Sequence, residues 1–148
     1  MRRGIALLFL GILSSFSTAF AQPYSVSFTS DTTPGVFTAG EKTEILLTVR
    51  NNGTLTWRRN ELFRLAYHWF DERGQVVVRD GLRTDLPRDA APGESIVVCA
   101  SVVAPTQPGG YELRWDMVHE KHAWFSDRNP ENALRKTVRV EPETVYIA

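Results

Sequence analysis

From Tyr24 onward, apolar residues recur at every second position, a period that builds strands rather than helices. Tyr24, Val26 and Phe28 alternate with Ser25, Ser27 and Thr29. Ile45, Leu47 and Val49 share a face, with Leu46 as the exception. Leu65, Tyr67 and Trp69 form a third row, and Tyr111, Leu113, Trp115 and Met117 a fourth. Val76–Val78 is a short β-branched run, and Val138 and Val140 flank Arg139. Ile96–Val103 is apolar at nearly every position, the pattern of a strand covered on both sides. Cys99, inside that run, is expected to be a small buried hydrophobe. Turn signals separate these segments at Thr33-Pro34-Gly35, Asn51-Asn52-Gly53, Asp71–Gly74, Asp80-Gly81, Ala91-Pro92-Gly93 and Gln107–Gly110. The spacing predicts an all-β chain, an immunoglobulin-like β-sandwich of seven to nine strands, because strands with one apolar face bury it against a second sheet. Residues 119–133 are charged and irregular and are expected to form a long loop.

The first 21 residues carry a different pattern. Arg2 and Arg3 precede the apolar run Ile5–Leu13, and Ala19-Phe20-Ala21 supplies a small-x-small site. This is the layout of a secretory signal peptide over residues 1–21, cut after Ala21, leaving one domain over residues 22–148. The expected location is extracytoplasmic: periplasm, cell surface or medium. The apolar run is too short to span a bilayer, so no membrane insertion is expected once the signal is removed. The mature chain holds 15 basic and 17 acidic residues, and its arginines are scattered, which argues against nucleic acid as partner. With a single cysteine, no disulfide can form within the chain, so packing alone must hold an exported domain together.

The order of landmarks is more specific than the alternation. Asn51-Asn52-Gly53-Thr54 leads to Trp57, then Leu65-Ala66-Tyr67-His68-Trp69, Pro92-Gly93-Glu94, Ala104-Pro105, and Gly110-Tyr111 with Trp115. This set resembles the four-tryptophan (FW) domain, the immunoglobulin-like central domain of selective-autophagy receptors, over residues 35–126. Trp57, Trp69 and Trp115 fall at family positions. Trp124 does not, and the closing strand near Leu134–Val140 has no tryptophan, as in a divergent exported member of bacterial type. The resemblance implies non-catalytic recognition of other macromolecules.

Trp69 and Trp115 lie mid-strand and are expected in the core. Trp57 follows a turn, where it either caps the sandwich or stands at the surface; Trp124 and Phe125 lie in the irregular segment. Trp57, Trp124 and Phe125 are therefore the candidate binding residues, since exposed aromatics anchor interfaces. His119 and His122 are three apart rather than the four of a helical zinc motif, and Asp116 and His68 have no spacing that would complete a metal site. Arg64, His68, Glu112, Arg114 and Asp116 occupy the polar faces of two strands, as cross-strand pairs or a polar groove. Asn52-Gly53-Thr54 fits a glycosylation acceptor but also a bare turn. No nucleophile–base motif or phosphate loop is present, so no enzyme activity and no cofactor are expected. The expectation is an exported module that binds a protein partner through loops or a strand edge, with a cell-surface glycan as the alternative.

Overall fold

The computed structural model describes residues 11–12 and 20–148, so the expected signal segment, residues 1–21, lies mostly outside the described residues. The rest is a sandwich of two sheets. One sheet has the order β1 (Val26–Asp31), β3 (Lys42–Asn51), β7 (Ser95–Val103). The other has the order β2 (Val36–Thr38), β10 (Leu134–Glu141), β8 (Gly109–His119), β4 (Phe63–Asp71), β5 (Val76–Val78). Two short strands complete it: β6 (Thr84–Asp85) beside β4, and β9 (Ala123–Trp124) beside β8. All pairings are antiparallel except that of β2 with β10. The described residues form ten strands against the expected seven to nine; the surplus comes from β6 and β9, two residues each, too short to show a period.

The alternation sorts the core as expected. Ile45, Leu47 and Val49 of β3 and Ile96, Val98, Ala100 and Val102 of β7 face Leu65, Tyr67 and Trp69 of β4 and Leu113, Trp115 and Met117 of β8. Leu46, the residue that breaks the pattern, points outward and is 49% exposed. Trp69 and Trp115 are both fully buried. Their indole N–H groups are not stranded: Trp69 Nε1 donates to the Val103 carbonyl of the opposite sheet at 2.9 Å, and Trp115 Nε1 to Thr33 Oγ1 at 3.0 Å.

Two expectations are corrected. The run Ile96–Val103 is not covered on both faces: its alternate side chains point outward to an open face, Val97 is 58% exposed, and Cys99 is exposed rather than buried, with its thiol 3.8 Å from Glu44. Residues 119–133 are not an open loop. They form β9, the short helix α1 (Phe125–Arg128) and a 3-10 turn over Pro130–Asn132. Asn132, 3% exposed, anchors the segment, accepting from Val26 N at 3.0 Å and donating to the carbonyls of Phe125 (2.9 Å) and Tyr24 (3.2 Å).

The Asn51-Asn52-Gly53 turn is equally determined. Buried Asn51 donates to the carbonyls of Leu55 (2.8 Å) and Ala90 (2.9 Å) and accepts from Gly53 N at 3.0 Å. A Cβ at residue 53 would collide with the Pro23 carbonyl, which is why glycine stands there.

Lys136 of β10 meets Asp31 of β1 at 2.9 Å, an ion pair that links the two sheets. Burial pushes the Asp31 carboxyl up, but its bonds to Lys136 and Thr33 outweigh this and hold it below its ordinary value. A depressed carboxyl contributes stability above the unfolded-state value of 3.8 and loses it as pH falls through the lower folded-state value. Asp31→Asn is expected to cost up to about 1 kcal/mol at neutral pH, the range of partly exposed pairs. Urea unfolding at pH 7 and pH 3 checks this: the gap between the two proteins should narrow at the lower pH.

Candidate functional site

The three candidate binding residues do not form one surface. Trp57 and Phe125 are both fully buried and pack edge to face at 5.9 Å between ring centroids. Phe125 also meets Tyr24 at 5.1 Å and Phe63 at 6.3 Å. Neither can touch a partner without opening the core. The cause is the fold of residues 119–133, which brings Phe125 inward as a plug over the end of the sandwich. Trp57 is held by paired backbone bonds with Ala90, at 2.9 and 3.0 Å. Its Nε1 has no hydrogen-bond acceptor among the described residues. Trp124 alone keeps exposed surface, half-buried between the His68 ring at 4.3 Å and the Arg83 guanidinium at 4.6 Å. Tyr67 and Trp57 both lie in the core, so neither joins Trp124 in an exposed aromatic platform of the kind a glycan would need.

The polar faces of β4 and β8 do meet. Their ladder sets His68 opposite Arg114 and Ala66 opposite Asp116. Asp116, fully buried, lies under the folded segment. Its carboxylate accepts from Ser126 N at 3.1 Å and from the Ser126 hydroxyl, and lies 3.0 Å from His68 Nε2. His68 Nδ1 is taken by the Arg79 carbonyl. Serine, histidine and aspartate are thus together, but in the wrong order for a nucleophile. Attack needs the hydroxyl on the imidazole, with the carboxylate behind it. Here the carboxylate stands between the other two and latches residues 123–128 onto the sheet.

His119 and His122 stack at 4.0 Å between centroids, and His119 also stacks on Phe63 at 3.9 Å. Tyr24 Oη lies 3.0 Å from His119 Nδ1. Among the described residues, no group of three or more potential ligands is arranged to hold a metal ion.

The free edge of β7 is the more promising surface. Ala104 N donates to the Glu41 carbonyl and Asn51 N to the Glu94 carbonyl. With the unbroken β3–β7 register, this assigns the even-numbered residues of β7 to bonds with β3. Val97, Cys99 and Ser101 therefore aim both N–H and C=O away from the sheet, and they take no partner among the described residues. The two ends of the edge are occupied: Arg88 donates to the Ser95 carbonyl at 2.9 Å, and Tyr67 Oη accepts from Val103 N at 3.0 Å. No residue of β7 is charged. Past its end, an apolar cleft of about 460 Å³ opens between Val77, Val78 and Leu82 on one side and Ala104, Pro105 and Tyr111 on the other. The sequence signal for this edge was the uncharged run itself, read as a covered strand.

An Ig-like domain family, described as the Ig-like domain from next to BRCA1 gene, matches residues 32–129. No curated protein matches the chain. Among solved structures, the chain is similar to the CARDB domain of a Pyrococcus furiosus protein in complex with di-metal ions. That match has 18% identity and a TM-score of 0.47, covering 85% of this chain and 100% of that one. It is also similar to an ASH/PapD-like domain of human CEP192, with 15% identity and a TM-score of 0.37, covering 95% and 100% of the two chains.

Two outcomes are expected. Asp116→Ala should destabilise the fold by about 3 kcal/mol, the cost of leaving buried polar partners unpaired, with Trp124 emission shifting red as the segment lifts; denaturant melts and fluorescence read both. Burial, then repulsion from His122, hold His119 below its ordinary value of 6.5. The unfolded chain therefore binds the proton first, and stability present above that value falls as pH drops below it. His119→Gln should flatten this dependence between pH 7.5 and 5.5, measured by urea midpoints.

Proposed function

The chain belongs to the family described as the Ig-like domain from next to BRCA1 gene, and on that premise we propose that it is an exported, non-catalytic recognition module binding a protein partner outside the cytoplasm. Within that family the tryptophan landmarks support an FW-type domain, and the arginine-flanked leader pattern supports export. One observation carries the reading. The uncharged edge of β7 directs the amide groups of Val97, Cys99 and Ser101 outward beside exposed apolar side chains.

Such an edge attracts an extra strand. Main-chain bonds supply affinity, and alternate side chains of the incoming segment supply selectivity. Protein edges left free of this task are commonly guarded by lysine, proline or a bulge. The stretch Val97–Ser101 has none of these, and its pairing with β3 runs without interruption. The adjoining cleft offers apolar walls to a side chain at the end of the added strand. The Ser126–Asp116–His68 order supports a non-catalytic role, since its hydroxyl is bonded to the carboxylate.

The test is co-sedimentation of residues 22–148 with cell envelopes from the source. Binding should disappear when the envelopes are first treated with protease. Val97→Lys should weaken it at least tenfold, while changing stability by no more than about 0.5 kcal/mol, as expected of an exposed position. Binding that survives proteolysis, or that is indifferent to Val97→Lys, overturns this reading of the edge.

A further inference from the structure

The outer face of the other sheet carries a pair of facing arginines beside the His68–Asp116 latch. In the β10–β8 ladder Arg135 stands directly opposite Arg114, and in the β8–β4 ladder Arg114 stands directly opposite His68. Three basic side chains thus form one row across three strands. The Arg135–Arg114 pair sets like charges directly opposite each other, which destabilises a sheet, and a neutral residue at either position would serve the ladder better. The row opens into a small cleft of about 170 Å³ whose lining also includes Phe70, Ser126 and the ion-paired Arg79 and Asp127.

The neighbouring carboxylates leave this row incompletely neutralised. Asp127 binds Arg79 at 2.8 Å, and Asp116 is committed to His68 and Ser126. Glu112 engages only Nε of Arg114, whose guanidinium carbon sits over the Phe70 ring at 3.7 Å from its centroid. The Nη groups of Arg114 have no carboxylate partner among the described residues, and Arg135 forms no ion pair there. The aromatic stack and the Glu112 bond orient Arg114, while exposed Arg135 faces it across the row.

We propose that this cleft binds a carboxylate of an acidic segment, received between Arg135 and Arg114. The guanidinium fork matches a carboxylate with two parallel bonds. The cleft is smaller than the roughly 300–1,000 Å³ of pockets that enclose a whole small molecule, so it takes the end of an acidic side chain rather than a sugar ring. The choice of a peptide rests on the reading of the chain as a protein-recognition module. The cleft lies on a different sheet from the β7 edge, so the two sites are separable by mutation.

The probe is a blocked hexaglutamate peptide added to residues 22–148, followed by NMR of the arginine Nε–Hε groups, with blocked hexaglutamine and tetragalacturonate as comparisons. Hexaglutamate should shift Arg114 and Arg135, and Arg135→Gln should weaken binding at least tenfold. Arg139→Gln, which removes a charge on the same strand outside the cleft, should change it less than twofold, and so should Val97→Lys. Without ligand and at low salt, Arg135→Gln should raise the melting temperature, because it relieves the row; a merely structural arginine would lower it. Equal losses from Arg135→Gln and Arg139→Gln, or no shift at Arg114, overturn the site. Binding of tetragalacturonate in place of hexaglutamate overturns the peptide assignment. Loss of envelope binding in Val97→Lys with hexaglutamate binding intact bears on the edge alone, so the two readings fail independently.

Discussion

Aromatic side chains of one sheet, hydrogen-bonded to the other, hold this sandwich together. Trp69 reaches the Val103 carbonyl and Tyr67 accepts from the Val103 amide, so one residue of β7 is clamped from β4 through both its backbone groups. Trp115 reaches Thr33, which follows β1. A chain with one cysteine has no covalent tie between its sheets. These rings supply both a large buried area and a directional bond, and the bond fixes how the layers align where apolar contact alone would let them slide. β7 is paired with β3 along its whole length, and this clamp adds a tie to the other sheet at its last residue.

Much of this was legible in the period-two pattern. The rows on β3, β4 and β8 and the placement of Trp69 and Trp115 follow from which residues alternate. What alternation does not encode is whether the second face of a strand meets water, a covering segment or nothing. His68 and Asp116 look like members of a solvated polar row, yet they are 3% and 0% exposed because residues 123–128 fold over them. Val97 and Cys99 look buried, yet they stand open because no described segment covers the outer face of that sheet. Both misreadings have one physical origin: what covers the outer face of a sheet is settled by long-range topology, and local composition is blind to it.

The candidate aromatics show the same limit at the level of single residues. Trp124 and Phe125 are adjacent in sequence and were expected to act as a pair. The chain turns from β9 into α1 between them, so one ring stays at the surface and the other enters the core. The signal that would have separated them is Asp116 with Ser126, a carboxylate in mid-strand and a serine two residues after a tryptophan. Neither is distinctive until the fold brings them together, since a short polar side chain can be satisfied by solvent as readily as by a latch.

The two surfaces left unsatisfied differ in their physics. The β7 edge offers backbone groups, which any extended chain can meet, so a strand added there would be held broadly and with little dependence on salt. The arginine row offers charge in a fixed fork geometry, so its contribution is selective and screened as ionic strength rises. A segment engaging the edge gains little sequence discrimination from main-chain bonds. Discrimination must come from side chains or from a second contact, and the second unsatisfied surface lies on the opposite sheet. No single short strand reaches both, because the sandwich stands between them. Simultaneous use therefore requires either a long segment that passes around an end of the sandwich or two separate parts of one partner. In both cases the second contact becomes intramolecular once the first has formed, so two individually weak sites can give tight, salt-tunable attachment.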